Sequence, residues 1–250
     1  MTDPVDYNYD LNQHTPDGAR AALAALFPDA KPSSLLDVGC GRGTWIKAAL
    51  DAGVADVFGV DGSDIPPGQL RFPTDRFRRQ NLAEEWSLGR KFEVVLCLEV
   101  AEHIDAARAG LFVRNLAAHG DTIFFSAACP GQGGQHHVNC QWPVYWQQLF
   151  NATGFVCDDA ARWRIWEMAG IESWYRQNLF VARRDPSHAG SEPRIRAVVH
   201  PEMLRYISTD EQDAEWRKLA EAGRMPGAWY AAAMWKAYGA KLRRRFQKPN

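Results

Sequence analysis

Short apolar runs alternate with segments of helical period through the first half of the chain. Residues 16–27 carry alanine and leucine at helical spacing and predict an entry helix. Leu35-Leu36-Asp37-Val38 predicts a buried strand running into Gly39-Cys40-Gly41-Arg42-Gly43, and residues 44–52 predict a helix that Gly53 stops. A second strand covers 56–60 and ends on Asp61. The loop of 62–75 holds three prolines, and 77–81 reads as a weak third strand. Residues 92–98 give the fourth strand, after which Ile104, Ala107, Leu111 and Phe112 recur at helical spacing. The fifth strand is 122–126, followed by a glycine-rich loop through Asn139. Beyond it, 142–151 predicts a helix ended by a turn at Gly154, and 162–167 and 178–182 read as the last two strands. Strands alternating with helices in this way predict a parallel α/β sheet with helices on both faces.

The character of the chain changes at 185–193, which reads as a linker. This divides the sequence into a domain of residues 1–184 and a helical appendage, 194–250, with helical segments at 213–222 and 226–246. In the second, Tyr230, Met234, Tyr238 and Leu242 form an apolar stripe, and Lys241, Arg243, Arg244, Arg245 and Lys248 suit a solvated helix C-terminus. A contact with a partner or an anionic membrane surface is the functional alternative.

Composition narrows the class. The 250 residues are 46% hydrophobic and 24% charged, which fits a globular core and excludes a disordered chain. Lys and Arg number 29 against 30 Asp and Glu, so the net charge of −1 argues against nucleic acid as a partner. Five cysteines are odd in number and form no C-x-x-C pair, which fits reduced thiols better than a disulfide frame or a zinc knuckle. No apolar run is long enough to span a membrane and the first ten residues are not signal-like, so the expected location is cytoplasmic.

Candidate chemistry starts at Asp37-Val38-Gly39-Cys40-Gly41-Arg42-Gly43. Glycines there let the backbone turn after a strand and approach a ligand beside a helix N-terminus. Asp61 ends the next strand, where a carboxylate can accept both hydroxyls of a ribose. A dinucleotide site would offer the same acid. However, the glycines run G-x-G-x-G behind Asp37, and a carboxylate at that point suits a cationic methionine group rather than a pyrophosphate.

These segments resemble the class I S-adenosylmethionine-dependent methyltransferases over roughly residues 16–184. The resemblance implies a Rossmann-like, seven-stranded sheet. It implies S-adenosyl-L-methionine as cofactor, contacted by Asp37, Gly39, Cys40, Gly41, Gly43, Thr44, Asp61, Gly62 and Glu99. The family's adenine-contacting site falls on Asn81-Leu82, with Asn in place of the more usual Asp. Its fourth motif falls on 92–99.

Glu99-Val100-Ala101-Glu102-His103 has E-x-x-E-H spacing, and on a helical turn its three ligand-type side chains share one face. With His136 or His137 from the loop after the fifth strand, they could hold a divalent cation. The pattern is similar to the metal-dependent branch of the family, which includes small-RNA 2′-O-methyltransferases and the O-methyltransferases of ubiquinone synthesis. That similarity implies Glu99, Glu102, His103 and His137 as ligands of Mg, Mn, Fe or Zn. A Glu-His pair here also occurs in members that bind no metal, where His103 caps a helix or faces substrate. In that case His103 or His137 acts as general base.

The loop 131–139 is polar and glycine-rich, and Trp163, Trp166, Trp174 and Tyr175 could stack on a ring or pack in the core. The expected activity is methyl transfer to a hydroxyl of a small molecule or glycan. The competing expectations are a small-molecule N-methyltransferase, an RNA 2′-O-methyltransferase, and a non-catalytic binding module of the same fold.

Overall fold

The computed structural model describes residues 14–205 together with Tyr7, Tyr9, Gly227, Tyr230, Ala231 and Trp235. Seven strands form one sheet: β1 (Ser34–Val38), β2 (Asp56–Asp61), β3 (Phe77–Arg79), β4 (Val94–Leu98), β5 (Thr122–Ser126), β6 (Phe155–Asp158) and β7 (Phe180–Arg184). Their order is β3-β2-β1-β4-β5-β7-β6. The first five strands run parallel, and β7 is antiparallel to both of its neighbours.

Period-2 alternation builds two cores. Leu36 and Val38 of β1, Val95 and Cys97 of β4, and Ile123 and Phe125 of β5 face one side. Phe112, Val113 and Leu116 of α3 (Ala109–His119) and Trp146 and Phe150 of α4 (Pro143–Asn151) cover them. Leu35, Leu96 and Phe124 face the other side, under α1 (Pro16–Leu26), α2 (Thr44–Asp51) and α5 (Ala160–Ile165). Strands covered on both faces read as continuous apolar runs, which is why β1, β4 and β5 were legible. Thr15 caps α1 by accepting the Gly18 N–H at 3.0 Å, with Pro16 in the first turn.

The last third departs from the expectation. Residues 162–167 alternate apolar with polar and were expected as a strand, but they belong mainly to α5. Ala161 and Ile165, four apart, are both buried, so the helical period governs the segment. The strand position is taken instead by β6, released from α4 through Gly154 at φ 82°. β7 starts two residues later than expected because Ser173–Asn178 winds into a helix, α6.

Residues 185–193 were read as a linker. In the structure the Glu192 carboxylate accepts from Gln147, Asn151 and the Cys157 N–H, while Ile195, His200 and Met203 are buried. The chain divides into two compact units, Met1–Ile207 and Ser208–Asn250. The expected helix of 213–222 lies outside the described residues, as does most of 226–246, of which Gly227, Tyr230, Ala231 and Trp235 are helical. Among the described residues no helix is long and apolar enough to cross a membrane. All five cysteines are free.

Candidate active site

A cavity of about 930 Å³ opens at the carboxyl ends of β1, β2 and β4, where open α/β sheets hold ligands. After β1 the backbone turns through Gly39 and Gly41, at φ 78° and 51°, and Gly43 at φ 84° caps α2. A Cβ on Gly39 would lie 2.3 Å from a Val100 methyl, so both backbone angle and space demand glycine there. The Gly39 and Cys40 N–H groups donate to the Val60 carbonyl at 2.8 and 3.1 Å, lacing this loop to β2.

That lacing brings Asp61 beneath the glycines. Its Oδ2 accepts the Gly41 N–H at 2.8 Å, and its Oδ1 accepts the Ser63 N–H at 2.8 Å and the Tyr9 hydroxyl at 3.0 Å. A carboxylate offers about four acceptor directions, so these three donors leave one. Two bonds from a ribose to Asp61, as the sequence suggested, therefore require Tyr9 to yield its place.

Asp37 contrasts with Asp61. It is buried, its Oδ2 has no hydrogen-bond partner among the described residues, and burial, reinforced by the Asp61 charge, pushes its pKa up to about 8. Asp37 lines the cavity, and a carboxylate with an orphaned oxygen there fits the cationic amino group of a bound S-adenosylmethionine. Gly39, Cys40, Gly41, Thr44, Asp61, Gly62, Asn81, Leu82 and Glu99 also line the cavity, whereas Gly43 does not.

The E-x-x-E-H segment forms one tight 3-10 turn, Ala101–His103, rather than an α-helix, and Glu99 sits in left-handed backbone at φ 57°. This turn separates the two acids. Glu99 accepts the Gln132 amide at 2.7 Å and the Asn178 amide at 3.1 Å, and its N–H donates to the Ser126 carbonyl. Burial raises its pKa and these side-chain donors oppose the shift. Glu102 is buried, its Oε2 lacks a partner among the described residues, and burial plus the Glu99 charge hold its pKa well above the usual carboxylate range.

The loop after β5 is clipped to this turn, because the Glu102 carbonyl accepts the N–H groups of Val138 and Asn139 at 2.9 and 3.0 Å. His137 Nε2 lies 3.9 Å from Glu102 Oε1. His103 Nδ1 lies 3.3 Å from the His136 carbonyl, and His137 Nδ1 lies 3.1 Å from the Gln132 carbonyl. A carbonyl only accepts, so both Nδ1 atoms carry the proton and both Nε2 atoms present lone pairs. Burial lowers both imidazoles' pKa values, that of His103 to about 4 with help from His137.

One ligand atom each from Glu102, His103 and His137 lies within 4.8 Å of the others. Glu99, expected among the ligands, is not in this group; the φ 57° backbone and the two amides hold it apart. His136 supplies its carbonyl to the site, and its own side chain is exposed. His103 lines the cavity, while Glu102 and His137 stand behind it.

Several residues of the site escaped sequence reasoning. Tyr7 meets the His103 ring edge-on at 5.6 Å, Tyr9 bonds Asp61, and His14 lines the cavity beside Tyr175. The sequence gives no expectation for these three beyond the first ten residues being unlike a signal; three aromatic rings ahead of the first helix were the available cue. Gln132 and Asn178 carried no motif at all. Of the aromatic residues that could stack on a ring or pack in the core, Tyr175 is buried and lines the cavity, and Trp163 and Trp166 pack together away from its lining at 4.8 Å.

Comparison with known proteins agrees with this geometry. Residues 11–129 match the model of a methyltransferase domain family. A stretch of 86 residues is 41% identical to a ubiquinone biosynthesis O-methyltransferase of Azorhizobium caulinodans, covering 32% of this chain and 33% of that protein. The chain thus aligns with about a third of that curated relative's length. A sugar N-methyltransferase from Streptoalloteichus sp ATCC 53650 superposes with a TM-score of 0.54 at 18% identity, over 74% of this chain and 96% of that one. The magnesium protoporphyrin IX methyltransferase of Synechocystis PCC 6803, solved with bound SAH, gives a TM-score of 0.50 at 21% identity, over 68% and 82%. At such identities the likeness speaks to the fold alone.

Proposed function

We propose that this chain, which carries an S-adenosylmethionine-dependent methyltransferase domain, moves a methyl group onto a hydroxyl of a small molecule or sugar. The observation that carries the reading is the pair of neutral imidazoles with free Nε2 atoms beside buried Glu102, at the edge of the cofactor cavity. When bound, the cofactor supplies an electrophilic S-methyl group. The chain must then bind its ends, place the acceptor and take up the acceptor's proton.

Asp61 suits the ribose, Asn81 and Leu82 the base, and Asp37 the ammonium end. His103 is the proton acceptor that reaches the cavity: the His136 carbonyl fixes its Nδ1–H, which leaves Nε2 to accept from the hydroxyl. Glu102 and His137 back it with a carboxyl group and a second lone pair.

The same three side chains supply one carboxylate and two imidazoles, a donor set that suits Fe or Zn better than Mg and leaves coordination positions open. A bound divalent ion would lower the pKa of a ligated hydroxyl. The free Oε2 of Glu102 supports a cation, while the engagement of Glu99 by two amides supports the metal-free route. That second observation also favours the alternative of an amine acceptor, which needs a base and no cation.

Turnover after exhaustive chelation decides between these routes. If a cation activates the hydroxyl, activity falls below detection while cofactor affinity holds, and a divalent ion restores it. Full activity in metal-free enzyme would sink the cation and leave His103 as the base. Acceptor screens with matched alcohol and amine pairs then test the hydroxyl assignment.

A further inference from the structure

Three residues from distant parts of the chain meet at the floor of the cavity. The Trp45 indole N–H donates to the Tyr175 hydroxyl at 3.3 Å, and that hydroxyl lies 2.6 Å from His14 Nδ1. An indole N–H can only donate, so the Tyr175 oxygen accepts from Trp45, and among the described residues His14 Nδ1 is the acceptor within reach of the hydroxyl's own proton. His14 is thereby fixed as the tautomer with its proton on Nε2. Among the described residues nothing bonds that Nε2–H, although His14 lines the cavity and is mostly enclosed. Ring contacts hold the imidazole in place: it stacks on Tyr175 at 5.7 Å and meets Trp174 edge-on at 6.0 Å. Burial lowers its pKa to about 4, so it stays a neutral donor at physiological pH.

We propose that His14 Nε2–H binds the carboxylate of the methyl donor's amino-acid end, with Tyr175 and Trp45 as the positioning residues that set its tautomer. The other polar features of the cofactor already have partners of suitable chemistry in Asp61, Asn81 and Asp37. The carboxylate is the one anionic group left, and a donor with no acceptor capacity is what it requires. Thr44 and Trp45, the first residues of α2, line the cavity too, and Trp45 is bonded to Tyr175. No side chain caps that helix, so its first N–H groups and its dipole favour an anion there too. The inference rests on the methyl-donor site described above.

Calorimetry of the whole protein with S-adenosylmethionine and with its decarboxylated analogue tests it. His14→Phe keeps an aromatic ring but no donor, and should weaken S-adenosylmethionine about tenfold or more while moving the decarboxylated analogue less than twofold. His14→Gln, which keeps a neutral N–H donor, should recover part of the loss. Tyr175→Phe should shrink the preference for the carboxylate-bearing ligand without abolishing binding, because the imidazole is then free to change tautomer. A structural role for His14 would weaken both ligands alike, and that result overturns the proposal, as does an unchanged preference in both variants. Should His14→Phe fail to fold, the wild-type preference and its reduction in Tyr175→Phe decide alone. If the wild-type protein binds neither ligand, the cofactor site itself falls, which is distinct from equal binding of the two.

Discussion

The cofactor end of the cavity and its catalytic edge are built on opposite plans. At the cofactor end, backbone does the positioning: Gly39 and Cys40 are tied to Val60, and Gly41 and Ser63 tie down Asp61. The His14, Tyr175 and Trp45 chain is the exception, side chains positioning one another. At the edge that carries His103, segments far apart in sequence position one another, through side-chain amides and through backbone carbonyls. Gln132 and Asn178 hold Glu99, the Gln132 and His136 carbonyls orient His137 and His103, and the Glu102 backbone carbonyl accepts the Val138 and Asn139 N–H groups. The first plan tolerates loss of a side chain at the cost of affinity. The second, on the proposed function, concentrates the chemistry in a few groups whose loss should cost turnover.

The largest expected effect tests that division. His103→Ala removes the Nε2 that reaches the cavity, and kcat should fall by about 10²–10⁴-fold, the usual contribution of a positioned acid or base. Cofactor affinity should change little, because His103 takes no part in the backbone scaffold around Asp61. Glu102→Gln separates the two routes: with a cation its requirement for added metal should rise, and without one the loss should be small. An equal loss of affinity and turnover in His103→Ala would show that the two regions are not independent.

Asp61→Ala should have the next largest effect, on affinity rather than on kcat. A bond to a charged acceptor contributes about 1.5–3 kcal/mol, or roughly ten- to hundredfold in Kd for the one direction free on Asp61. The variant also strands the Gly41 and Ser63 N–H groups, so its melting temperature should drop. Tyr9→Phe sharpens the reading. If Tyr9 competes with a ribose hydroxyl, that variant binds the cofactor as tightly as wild type or more tightly; weaker binding would mean that the hydroxyl assists the ligand.

The contrast between the two regions also explains what the sequence revealed. Glycines at φ 78°, 51° and 84° and an acid at the end of the next strand form a local signal, because backbone geometry restricts residue type at each position. β1, β4 and β5 were legible for a similar reason, since burial on both faces leaves unbroken apolar runs. Glu102, His103 and His137 were legible as residue types, but the role of Glu99 was not. Whether it joins them depends on a 3-10 turn and on amides from Gln132 and Asn178, 33 and 79 residues away. The pairing of His14 with Tyr175 was hidden in the same way, the two lying 161 residues apart and joined by one hydrogen bond. The strand expected at 162–167 failed because a short amphipathic helix and a strand share a pattern there, and packing of Ala161 with Ile165 decides between them.

The smallest effect concerns Asp37 and carries its own sign. Its pKa is raised from 3.8 to about 8, chiefly by burial and then by the Asp61 charge, so the unliganded protein holds a proton there at neutral pH. The unfolded chain releases that proton near 3.8, so this group's contribution to stability is fully present at acid pH and is lost as pH rises toward 8. Cofactor binding runs the other way. An ammonium group prefers the ionised carboxylate, so binding below pH 8 must expel the proton, and affinity should climb by up to about tenfold per pH unit until Asp37 ionises unaided. Calorimetry in buffers of different ionisation enthalpy would register that proton release directly at pH 7. Asp37→Asn, which cannot ionise, should flatten the pH dependence of binding and of stability together. A variant that still gained affinity with pH would place the titrating group elsewhere, and Asp37 would then serve the fold of the glycine loop rather than the charge of the ligand.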